Sequence, residues 1–84
     1  MAKIPIKLLN HIQKHFTYSS TSVFALKLYD DVNDLMTGSI TLSAFEANGY
    51  VYVSPLSSVT NKQDALLREE LNNIKRQVVV YYNS

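Results

Sequence analysis

His11 and His15 stand four residues apart, the spacing that brings two imidazoles to one face of a helix, as in zinc sites. A zincin would carry glutamate directly after the first histidine as general base, and that residue here is Ile12. Zinc also needs a third protein ligand, and the next carboxylates, Asp30 and Asp31, belong to another segment. The pair therefore reads as surface or boundary histidines, and no metal is expected. Asp30, Asp31 and Asp34 could pass for a carboxylate cluster, but catalytic pairs need an apolar cleft that drives their pKa values apart. These three fall on the polar arc of an amphipathic helix. The stretch 33–45 echoes a calcium loop through Gly38, Ile40 and Phe45, yet its ligand positions hold Asn33, Leu35, Thr37 and Ala44. Calcium asks for six or more oxygens and a bidentate acid at the end of the loop, so the echo carries no chemistry.

Nucleophile and phosphate chemistry fare no better. No serine sits in a nucleophile-elbow pattern. The only glycines are Gly38 and Gly49, too few for a phosphate loop, and there is no cysteine for thiolate or disulfide chemistry. The expectation is a protein without catalysis, cofactor or small-molecule substrate.

Whatever these residues do, the elements that position them must come from a single domain over residues 1–84. Hydrophobic residues make up 46% and charged residues 18%, which excludes a disordered chain. No apolar run reaches the ~18 residues of a membrane span, and the start Met1-Ala2-Lys3-Ile4-Pro5 lacks a signal-peptide core, so a cytoplasmic protein is expected. Six tyrosines and three phenylalanines beside few charges favour burial against a partner, and a homodimer is the expected state.

Helical spacing of Leu8, Leu9, Ile12 and Phe16 predicts a first helix over roughly Pro5 to Phe16. A second helix is predicted from about Ser20 to Thr37. Phe24, Ala25, Leu28, Tyr29, Val32, Leu35 and Met36 fall within an arc of roughly 140° there, and Gly38 suits a left-handed C-cap. The period then switches to two. Ile40, Leu42 and Ala44 alternate with serines and threonine, and Tyr50-Val51-Tyr52-Val53 alternates after Asn48-Gly49. Asn-Gly suits a type I′ turn, so the stretch predicts a β-hairpin and, with it, an α+β fold. Its register would set Phe45, Tyr50 and Tyr52 on one face, opposite Ile40, Leu42, Ala44, Val51 and Val53. Thr60-Asn61-Lys62-Gln63 has capping-box form and opens a long C-terminal helix. Leu67, Leu71, Ile74, Val78 and Tyr81 run along it as a heptad stripe suited to dimerisation. Residues 78–82 also have strand composition, and a third strand is the alternative to helical continuation.

Two binding surfaces follow. Lys3, Lys7, His11 and Lys14 form a basic face on the first helix, able to meet phosphates or an acidic protein. Phe45, Tyr50 and Tyr52 form an aromatic face that needs a cover, either from the chain or from a protein partner. The order of elements loosely suggests a winged-helix DNA-binding regulator as the alternative function. Its recognition helix would carry Asp30, Asp31 and Asp34, and its wing from Ser39 to Ser54 has one acid and no base. Nucleic acid is therefore disfavoured. The expected function is a protein-binding or assembly module, of the size of a phage- or plasmid-type inhibitor or accessory protein.

Overall fold

The computed structural model describes residues 4–48 and 60–83, and these form helices and no strand. We label the helices α1 (Ile6–Lys14), α2 (Ser22–Thr37), α3 (Leu42–Ala47) and α4 (Lys62–Tyr82), with a 3₁₀ turn, His15–Thr17, after α1.

Each helix end has a local cause. Pro5, extended at φ −61° and ψ 140°, precedes α1, and its carbonyl accepts from the Leu8 N–H at 3.0 Å. At the far end of α2, Gly38 is left-handed at φ 81°. Its N–H donates to the Leu35 carbonyl at 3.3 Å while the Ser39 N–H reaches Asp34 at 2.7 Å, the paired bonds of a Schellman motif. The carboxamide oxygen of Asn61 caps α4, accepting from the Gln63 and Asp64 N–H groups at 2.8 and 3.4 Å. The cap is thus Asn61 and not the Thr60 of the capping-box reading. Asp64 then sits in the first turn, where a negative charge suits the helix dipole.

The hairpin is the main correction. Where it required a strand, α3 forms, because the Thr41 hydroxyl accepts from the Ala44 N–H at 3.2 Å and starts a helix. Leu42 and Phe45, three apart, then share one helical face. A type I′ turn needs positive φ at Asn48, yet Asn48 ends α3 at φ −76° and ψ −4°. The fold of the described residues is therefore helical rather than α+β. Phe45, assigned above to the face away from the core, is fully buried within it. Tyr50 and Tyr52 lie outside the described residues.

The core joins all four helices. Leu8 and Ile12 from α1 meet Ala25, Leu28, Val32 and Leu35 from α2, with Phe45 from α3 and Leu71, Ile74 and Val78 from α4. Residues 78–82 continue α4, so the third-strand alternative fails. Val78 is fully buried in the core, and this packing outweighs the weak helix propensity of a β-branched run.

Candidate functional site

Among the described residues, three places bear on function, and each starts from a helix end or face. The first is His15. It stands seven residues after Leu8 and three after Ile12, in line with the buried face of α1, at the start of the 3₁₀ turn, and 1% of the residue is exposed. Its Nδ1 lies 3.1 Å from the Thr21 hydroxyl and its Nε2 lies 3.5 Å from a carboxylate oxygen of Glu70 on α4. The carboxylate can only accept, so the neutral ring carries its proton on Nε2, and Nδ1 accepts from the Thr21 O–H. Tyr18 meets the ring edge to face, with centroids 5.6 Å apart. Thr21 stands at the N-cap of α2, where its side chain makes no capping hydrogen bond, and its O–H is directed at His15 instead.

Burial pushes the His15 pKa below its ordinary value. The nearby Glu70 carboxylate opposes that shift, and the positive charge of Lys14 and His11 reinforces it. Carboxylate, imidazole and hydroxyl in this order could activate a nucleophile. Thr21 is fully buried, however, so no substrate can reach its oxygen. The arrangement is a clasp joining the end of α1 to α2 and α4.

The second place is the basic face of α1. Lys7, His11 and Lys14 are exposed on it, and Lys3 lies outside the described residues. His11 and His15 do not face a common point, since one is exposed and the other buried. Among the described residues no three His, Cys, Asp or Glu side chains cluster to hold a metal.

The third place escapes a reading by sequence periodicity alone. An open groove of about 470 Å³ lies between the end of α3 and α4, lined by Glu46, Lys75, Arg76, Val79 and Val80. The Lys75 ammonium donates to the Glu46 carbonyl at 3.2 Å, bridging from α4 to α3. The Arg76 guanidinium donates to Asn73, one turn back on the same helix. Val80 is 65% exposed on α4. On α2, Val23 and Leu26 are likewise exposed, at 71% and 51%. The only sequence signal for these positions is that they fall outside the apolar arcs of their own helices.

The stripe read as a dimer seam lies elsewhere. Leu67, Leu71, Ile74 and Val78 are buried, and Tyr81 is half-buried against the same core. These side chains are spent within the chain, because α1 and α2 need an apolar face of α4 to close on. Among the described residues no helix is long and apolar enough to cross a membrane. Compared with protein-family models, curated proteins and solved structures, the chain shows no significant similarity to any.

Proposed function

We propose that this chain is a protein-binding or assembly module, working in the cytoplasm by surface contact rather than by catalysis. The observation that carries the reading is the α3–α4 groove. Val79 and Val80 line it beside Lys75, Arg76 and Glu46, and it opens to solvent. Apolar surface with charge at its margin is how protein interfaces are built, with burial supplying affinity and the rim supplying register. Nucleic-acid binding is the weaker reading. The exposed side of α2 carries Asp30, and the segment that would begin a basic wing is instead the helix α3.

Cross-linking through the Lys75 amine in the cells that make the protein tests this reading. The expected result is a cross-link from Lys75 to a polypeptide identified by its sequence, lost in a Val80→Asp variant that still folds. Cross-links confined within one molecule, with no cross-linked species heavier than the monomer, would contradict it.

A further inference from the structure

Two exposed strips on different helices carry complementary chemistry at matching spacing. On α2, Leu26 and Asp30 are four residues apart and both exposed. On α4, Arg76 and Val80 are four apart and both exposed. Four residues are about 6 Å of helix rise and bring each pair onto one face. Along α2 the apolar residue comes before the acid, whereas along α4 the cation comes before the apolar residue. Laid antiparallel, Leu26 meets Val80 while Asp30 meets Arg76. Laid parallel, each apolar side chain would face a charge.

We propose that the α4 groove receives the outer face of α2 from a second copy of this chain, in that antiparallel register. The proposal rests on the reading of the chain as a contact module, and it names the partner. A chain cannot fill its own groove this way, because α2 already turns Ala25, Leu28, Val32 and Leu35 into the core beneath it. Charge favours the match as well. The groove sets two cations, Lys75 and Arg76, against one acid, Glu46, and the incoming strip brings Asp30.

The giving and receiving surfaces differ, so the contact is heterologous. It closes into a pair only if both copies dock reciprocally, and otherwise it extends. A single helix strip buries less than a standard interface, which sets the expected dissociation constant at ~10 μM or weaker.

Charge reversal provides the test, read by sedimentation velocity from ~10 μM to ~1 mM, a range that spans weak association. Asp30→Lys alone sets cation against cation, and Arg76→Glu alone sets acid against acid. Each should weaken self-association about tenfold. Mixed together, the lysine strip of one variant meets the glutamate groove of the other, and the remaining surfaces are wild-type, so association should return. Both substitutions are on exposed side chains, and circular dichroism checks that the helices persist. Wild-type protein that stays monomeric throughout, single variants that associate like wild type, or a mixture that fails to recover would each overturn the proposal. A monomeric wild type whose Lys75 nevertheless cross-links to a different polypeptide in cells would overturn self-pairing and leave the contact-module reading standing.

Discussion

His15 shows how little a residue's type says before its burial is known. By sequence its spacing from His11 suggests metal ligation or an ordinary surface histidine. What decides its role is burial in line with Leu8 and Ile12, where the ring meets Tyr18, Thr21 and Glu70. Because burial lowers its pKa in the folded state, the unfolded chain binds the proton more tightly. The clasp therefore contributes stability above the unfolded pKa of about 6.5 and loses it as the pH falls through the folded value. The melting temperature should drop on going from about pH 7.5 to about pH 5. In a His15→Leu variant this part of the slope should vanish. An unchanged slope in the variant would show that other groups set the pH response. The exposed pair Arg76 and Val80 was equally hidden in the sequence, since Val80 stands in the run Val78-Val79-Val80, whose composition does not say which valine faces outward.

At the scale of elements, α1, α2 and α4 were legible because their apolar residues recur at helical spacing over nine or more residues. The segment 39–48 was not. Ile40, Leu42 and Ala44 alternate as a strand would, and Asn48-Gly49 imitates a hairpin turn. In so short a run the same residues also satisfy a helix, with Thr41 as cap and Leu42 and Phe45 sharing a face. The Thr41 cap and the burial of Phe45 decided between them. Replacing Phe45 with Ala should cost about 3–5 kcal/mol in chemical denaturation. A cost below about 1 kcal/mol would put Phe45 outside the core. Gly38→Ala tests the Schellman end of α2. Open space surrounds the position a Cβ would take, so the cost is that of the left-handed backbone, about 1–2 kcal/mol.

At the scale of the whole molecule, the account turns on which apolar surface is spent inside and which is left outside. The heptad stripe of α4 closes the chain's own core, so Leu71→Asp should unfold the protein and not release a folded monomer. A variant that kept its helices as a monomer would return the stripe to the surface. Among the apolar surfaces left outside are the α4 groove and the outer face of α2, and the central claim is that these two surfaces meet. The most direct measurement follows backbone amide chemical shifts as the protein is diluted from ~1 mM to ~10 μM, across the range of weak association. Changes centred on Leu26, Asp30, Arg76 and Val80 are expected, with Leu71 and Ile74 unmoved. Shifts that stay constant, or that move instead at Lys7, His11 and Lys14, would contradict it.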